Sequence, residues 1–368
     1  MRIGIDAHSI GNHKTGNETY SYNLVKELSL LPSNGDEYII YLTKGGALNG
    51  LGTNGHFTHR RIRPATPYLR IPVAFPLESR MRRLDVFHAT YILPWWLKCR
   101  TVLTVHDICY ERFPEFYTRA DSLRNKLAIP WSCRRAGRII TISEATKRDL
   151  VELYRLDPEQ ITVIYLAASE DYKPLDPALC RERLRAAYQI TEPFILCVGS
   201  LQPRKNLSRL LRAFAQLKVK DRIPHKLVIA GQKAWLCDGI FETLRKQALE
   251  NEVILTGYVP AEDLPIFYNA ASFLAYPSIY EGFGLPVIEA MACGTPVMTS
   301  CGSSLEEVAG GAAILVDPYS VSSMADAMEI IANNPELQKD LGRRSLANAS
   351  RFSFGKMAEQ TQYVYQHV

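Results

Sequence analysis

Long apolar runs are missing from this chain. None approaches the ~18–20 residues of a membrane-spanning helix. Met1 leads straight into the strand-like RIGIDA, so no signal peptide is expected. Paired cysteines are also missing. The eight cysteines (99, 109, 133, 180, 197, 237, 293 and 301) form no C-x-x-C motif and no metal-ligand spacing. This argues against a zinc module and for reduced thiols in a cytosolic protein; Cys197 and Cys293 lie inside apolar patterns. No D-x-D occurs anywhere, which removes the paired-acid clamp for a divalent ion. A strong excess of charge is absent too: the net charge is +5 and charged residues make up 22%. The charge is unevenly placed, however. Residues 51–150 hold 18 Lys/Arg against 8 Asp/Glu, so that window carries +10 and the remainder −5. Such asymmetry implies an anionic partner for the first half. No nucleic-acid recognition motif accompanies it, so an anionic membrane surface or a lipid diphosphate is the better expectation.

At 368 residues and 47% hydrophobic, the chain suits two soluble globular domains. Strand-like and helix-like patterns alternate throughout. In the first half the strands read RIGIDA (2–7), a second near Ile40, DVFHA (85–89), TVLTVHD (101–107), RIITIS (138–143) and ITVIY (161–165). Helical patterns cover Tyr20 to Leu30 and Ser143 to Tyr154, with Ser143 as N-cap. The proline-bearing AASEDYKPLDPA (167–178) reads as a linker. A second series follows with FILCVGS (194–200), KLVIAG (226–231), VILTG (253–257), FLAYPS (273–278), PVMTS (296–300) and AILVD (313–317). Alternation of this kind predicts α/β architecture, with two Rossmann-like domains built on parallel sheets. The expected boundaries are 1–168 and 169–351, with a C-terminal helix at 352–368.

The stretch Ala271 to Ser300 organises the rest: a buried strand, the loop IYEGFG, a short helix and a second strand. Pro286 stands at a first-turn position and Gly294 at a helix end. In a parallel sheet this turn aims a helix N-terminus at the strand ends, where an anion is favoured. Gly282 and Gly284 let the backbone approach a ligand. Glu281 and Glu289 would repel a bare diphosphate. A ligand that also offers hydroxyls, as a nucleotide sugar does, fits both.

After FILCVGS, the run Ser200-Leu-Gln-Pro-Arg204-Lys205-Asn206 places two cations just ahead of an amphipathic helix, which Asn206 is expected to cap. Arginine offers phosphate a planar fork and lysine a point charge. A helix start disfavours cations, so their position there implies a bound anion. In the first half, His106 closes a strand, and His88 ends another in a similar way. A histidine at a strand's C-terminal end points into the crevice, which is the reading of His106, whereas for His88 a satisfied polar residue at a strand end is the plainer one.

The motif Glu281-Gly-Phe283-Gly284-Leu285-Pro-Val-Ile-Glu289, followed by AMACGTPV, resembles the signature of the retaining glycosyltransferases of family 4, which have the GT-B fold of two facing Rossmann-like domains with a crevice between them. The likeness is tight from 194 to 318 and loose before 100. It implies catalytic roles for His106, Arg204, Lys205 and Glu281. It implies donor contacts for Gly16, Ser200, Val259, Phe283, Gly284, Leu285 and Glu289, with Glu281 facing the sugar, Glu289 holding the ribose hydroxyls and Val259 bordering the base. It further implies that the C-terminal helix packs back on the first domain. Two positions depart from the pattern. Glu18 stands where the first glycine-rich loop has its second glycine, so only Gly16 carries that loop over, and Glu306 replaces a proline in SSLEEVAGG. The segment 303–318 is similar to a mannosyl-transferring branch. That implies GDP-mannose as donor, with a UDP-hexose second, and a growing polysaccharide or lipid-linked oligosaccharide as acceptor. No metal or other cofactor is expected.

The segment Tyr68 to Arg83 mixes apolar residues with Arg70, Arg80, Arg82 and Arg83, and Trp95-Trp96 lies nearby. Its two prolines argue against one long helix. The expectation is either a solvated face or a peripheral contact with the inner face of a membrane. Two other functions compete: a sugar-nucleotide epimerase, which would convert donor without an acceptor, and a noncatalytic nucleotide-binding partner.

Overall fold

A computed structural model describes residues 1–11, 16–32, 35–44 and 55–368. The chain divides into two compact units, Met1–Leu166 with Ser353–Val368, and Ala167–Phe352.

The first unit contains strands β1 (Arg2–Asp6), β2 (Glu37–Leu42), β3 (Phe57–Arg61), β4 (Val86–Thr90), β5 (Arg100–Val105), β6 (Arg138–Thr141) and β7 (Ile161–Val163). They form one parallel sheet in the order β3-β2-β1-β4-β5-β6-β7. The second unit contains β8 (Phe194–Val198), β9 (Lys226–Ala230), β10 (Val253–Gly257), β11 (Phe273–Tyr276), β12 (Val297–Ser300) and β13 (Ile314–Val316). These are also all parallel, in the order β10-β9-β8-β11-β12-β13. Central strands are buried on both faces, as their continuous apolar sequences require. Strand order reverses between β1 and β4 in one sheet and between β8 and β11 in the other. Ligands of open α/β sheets collect beyond the strand ends at such switch points.

The C-terminal helix Phe354–Gln366 belongs to the first unit, where it packs on the helix Gly16–Leu30. Tyr365 Oη lies 2.6 Å from His88 Nδ1. Tyr172 and its neighbours Lys173–Leu175 belong to the second unit. Asn269 laces this segment down: its Oδ1 accepts from Leu175 N at 2.8 Å, and its Nδ2 donates to Lys173 O at 3.0 Å.

Three local expectations need correction. Strand β3 was not anticipated, because FTHRR is mostly exposed at a sheet edge and carries no apolar alternation. Residues Pro67 to Arg82 are helical almost throughout, against the expectation drawn from their prolines. The segment Arg70–Ala74 is π-wound, and Pro76 sits in the first turn of Phe75–Arg82, where its missing N–H costs nothing. Within it Arg70 is buried and donates to Ala65 O at 2.7 Å, so it contributes nothing to an exposed cationic face. Tyr68, Leu69, Val73, Leu77 and Met81 are exposed. Among the described residues no helix is long and apolar enough to cross a membrane.

Candidate active site

The site in the second unit begins at the end of β8. Gly199, with φ +133°, turns the chain sharply, and Gly231 lies against it so closely that a Cβ there would fall 2.0 Å from Gly199 O. Half-buried Ser200 follows, then the tight turn Pro203–Lys205. Asn206 adopts a left-handed backbone at φ 62° and opens the helix Leu207–Val219. Its side chain does not cap that helix, contrary to expectation. It donates instead to Pro277 O at 3.1 Å and Pro318 O at 2.6 Å, bridging the exits of β11 and β13. The backbone O of Arg204 accepts from Ile279 N at 2.9 Å, which stitches the two switch-point loops together.

Strand β12 supplies hydroxyls that fix the exit of β11. Thr299 donates to Tyr276 O at 2.9 Å, and Ser300 donates to Ser278 O. Ser304 donates to Glu281 O at 2.7 Å. Ser303 caps the helix Ser304–Ala309 through Leu305 N at 3.3 Å. Gly284 then turns at φ +96° into the helix Leu285–Ala292, with Pro286 in its first turn and no side-chain cap. A Cβ on Gly284 would lie 2.3 Å from Leu305 Cδ2. Only glycine satisfies both the dihedral and the space.

These constraints bring Arg204, Lys205 and Glu281 together. Glu281 is 6% exposed. One of its carboxylate oxygens pairs with Arg204 Nη1, and the other lies 2.6 Å from Lys205 Nζ. Tyr276 Oη donates to that second oxygen at 3.0 Å, and Lys205 bonds the same phenol. The ammonium also sits 4.7 Å from the Tyr276 ring centroid. Burial pushes the Glu281 carboxyl up, but the Arg204 and Lys205 charges outweigh it and hold the group at about 2. Burial likewise pulls the Lys205 ammonium below its ordinary value, against the opposing pull of Glu281. Glu281 is therefore the counter-charge for the two cations, where the sequence implied a bound anion alone. The Arg204 guanidinium, one-fifth exposed, remains the more accessible of the two.

Glu289 lies about one turn into the helix Leu285–Ala292. Its carboxylate accepts from Tyr268 Oη at 2.8 Å, and the Tyr172 phenol favours its charged form. Burial raises its pKa to about 7, with the two phenols opposing. Val259 is buried just beyond β10, and Phe283 is buried edge-on to Phe352 with ring centroids 5.7 Å apart.

In the first unit, His106 follows β5 and is 5% exposed. Its ring lies edge-on to Tyr20 at 4.7 Å and to Tyr91 at 5.5 Å. Its Nε2 has no hydrogen-bond partner among the described residues. Burial lowers its pKa to about 3, so it is a neutral imidazole near pH 7. His88 differs: its Nδ1 faces Tyr365 Oη and its Nε2 lies 2.7 Å from Thr104 Oγ1, the partners of a satisfied core histidine. Gly16 begins its helix on the surface. Gly11 N–H donates to Glu18 at 2.6 Å, and residues 12–15 of that loop lie outside the described residues.

Tyr276, Tyr268 and Tyr172 all escaped the sequence reading, as did the bond from Ser304 to the Glu281 carbonyl. Tyr276 left one signal, as the only polar side chain in the buried FLAY strand. Among the described residues no cluster of His, Cys, Asp and Glu could hold a metal ion, and all eight cysteines are free.

Comparisons with known proteins agree on what this fold belongs to. Residues 181–347 match the family model described as glycosyl transferases group 1, and residues 15–171 match the model for glycosyltransferase family 4. The O-antigen chain mannosyltransferase B of Escherichia coli is 33% identical over 282 residues, covering 76% of this chain and 74% of that protein. The serotype-specific mannosyltransferase WbdA of E. coli is 29% identical over 274 residues, covering 72% of this chain, which spans only 33% of that longer protein. Among solved structures, Anabaena Alr3699/HepE in complex with UDP-glucose superposes with a TM-score of 0.78 at 19% identity, covering 100% of both chains. This chain therefore belongs to glycosyltransferase family 4 and has the GT-B fold.

Proposed function

We propose that this glycosyltransferase moves mannose from GDP-mannose onto a glycan or lipid-linked oligosaccharide in surface polysaccharide synthesis, with retention at the anomeric carbon and without a metal ion. The observation that carries the reading is the buried Arg204–Lys205–Glu281 cluster beside the Gly284 turn. Two cations and a helix N-terminus suit a leaving diphosphate, and a carboxylate held ionised suits sugar hydroxyls. The names of the O-antigen mannosyltransferases support mannose and the polysaccharide acceptor. The UDP-glucose complex of the Anabaena protein supports the second reading, a UDP-hexose donor.

In the proposed step the acceptor hydroxyl oxygen bonds to the anomeric carbon on the face from which the carbon–phosphate oxygen bond breaks. The hydroxyl proton passes to the departing phosphate oxygen. Arg204 and Lys205 take up charge on that phosphate, while Glu281 and Glu289 orient the sugar and the ribose. His106, neutral and with a free Nε2, offers a hydrogen bond to the transferred sugar. Glu281 is engaged by Arg204, Lys205 and Tyr276, which disfavours it as a covalent nucleophile. Exposed Tyr68, Leu69, Val73, Leu77, Trp95 and Trp96, with Arg80 and Arg83, would hold the enzyme at an anionic cytoplasmic membrane face where a lipid-linked acceptor resides.

The test is incubation with GDP-mannose, EDTA and lipid-linked oligosaccharides. One hexose of mass gained with GDP released, and an α-linkage by NMR, would support the assignment. An inverted product or a trapped glycosyl-Glu281 adduct would overturn the mechanism. Donor conversion without an acceptor would favour an epimerase.

A further inference from the structure

Glu289 is held by two phenols from outside its own helix. Tyr268 lies in the last turn of the helix Leu264–Ala270 and donates to Glu289 at 2.8 Å. Tyr172 comes from the segment that joins the two units, packs edge-on to Tyr268 at 5.7 Å, and its phenol favours the charged form of the same carboxylate. That segment is anchored locally by the Asn269 bonds to Lys173 and Leu175, and Tyr268 itself is fixed by Thr295, which donates to its carbonyl at 2.8 Å. The phenols are thus built to hold a carboxylate, and core packing alone gives no reason for two hydroxyls to converge on it.

We infer that Tyr172 and Tyr268 are positioning residues that hold Glu289 in the orientation and ionised form in which it grips the hydroxyls of the nucleotide. The inference rests on the donor-site reading of Glu289. A carboxylate that accepts two ligand hydroxyls must be ionised, and donors to the charged form keep it so. The other titratable group facing it is Cys293, at the end of its own helix. Asp171 acts on Tyr172, and Cys180 on Cys293. The phenols of Tyr268 and Tyr172 oppose the burial that disfavours the ionised Glu289.

The test is the Kd for GDP and for UDP from pH 5.5 to 8.5, by calorimetry, for wild type, Tyr172→Phe, Tyr268→Phe and Glu289→Gln. Wild type should bind more tightly as pH rises through about 7, where Glu289 ionises. Glu289→Gln should bind weakly and retain only the titration of the nucleotide's own phosphate, which serves as the baseline. Loss of one phenol donor should move the midpoint up by about one unit, so binding weakens roughly eightfold at pH 6.5 but stays within about twofold at pH 8.5. A merely structural tyrosine would weaken binding equally at every pH. Uniform weakening, or wild-type midpoints, beside an altered Glu289→Gln would overturn the positioning role. If Glu289→Gln binds both nucleotides like wild type, the donor-site reading itself falls, and the positioning role with it.

Discussion

Replacing Lys205 by methionine removes one of two cations from a buried carboxylate while keeping the aliphatic stem. The magnitude follows from opposing terms. Glu281 is held at about 2 against an ordinary 4.5, which corresponds to about 3 kcal/mol of net stabilisation of its charged form, after Arg204 and Lys205 have offset the cost of burial. Burial of the ammonium works the other way, since Lys205 is itself pulled below its ordinary value. Arg204 stays in place on the other oxygen, so the loss should be smaller than the ~3–5 kcal/mol typical of breaking an isolated buried pair, at about 1–3 kcal/mol. Urea denaturation at pH 7.5 measures it, and a double-mutant cycle with Glu281→Gln isolates the pair. A coupling of at least about 1 kcal/mol is expected. Additivity within about 0.3 kcal/mol would refute the claim that Glu281 is the cluster's counter-charge.

Three other outcomes follow from the same geometry. Gly284→Ala should cost roughly 1–3 kcal/mol, because it combines a left-handed dihedral with a clash against Leu305; Leu305→Ala should relieve only the clash, as thermal denaturation of the single and double variants would show. Gly231→Ala should be worse, since the obstruction at 2.0 Å is backbone, and a folded variant with wild-type Tm would contradict it. Acid should destabilise the first unit early. His88 and His106 are held at about 3 against 6.5, so the unfolded chain binds more protons between those values; stability is full above 6.5 and falls as pH drops toward 3. A Tm independent of pH from 7 to 4 would contradict this.

Much of the fold and of the Arg204–Lys205–Glu281 cluster was legible because it is local. Continuous apolar strands alternate with helices. The Glu281–Glu289 and Ser200–Asn206 runs each lie within one strand-to-helix turn, where glycine, proline and charge are read directly. What was missed depends on contacts far apart in sequence. Tyr276 reaches Lys205 across 71 residues, and Asn206 prefers the carbonyls of Pro277 and Pro318 to its own helix. The counter-charge role of Glu281 likewise spans 76 and 77 residues. Strand β3 was hidden by its exposed edge position, and the helix through Pro72 and Pro76 by a π-turn that local rules do not anticipate.

The most direct measurement is calorimetric titration of the wild-type protein and Arg204→Ala with GDP-mannose and with UDP-glucose, in EDTA. The proposed donor site predicts that GDP-mannose binds more tightly than UDP-glucose without metal, and that Arg204→Ala weakens it at least roughly tenfold, as loss of a charge-assisted phosphate contact worth about 1.5–3 kcal/mol should. Absence of binding, preference for UDP-glucose, or unchanged affinity in Arg204→Ala would contradict it.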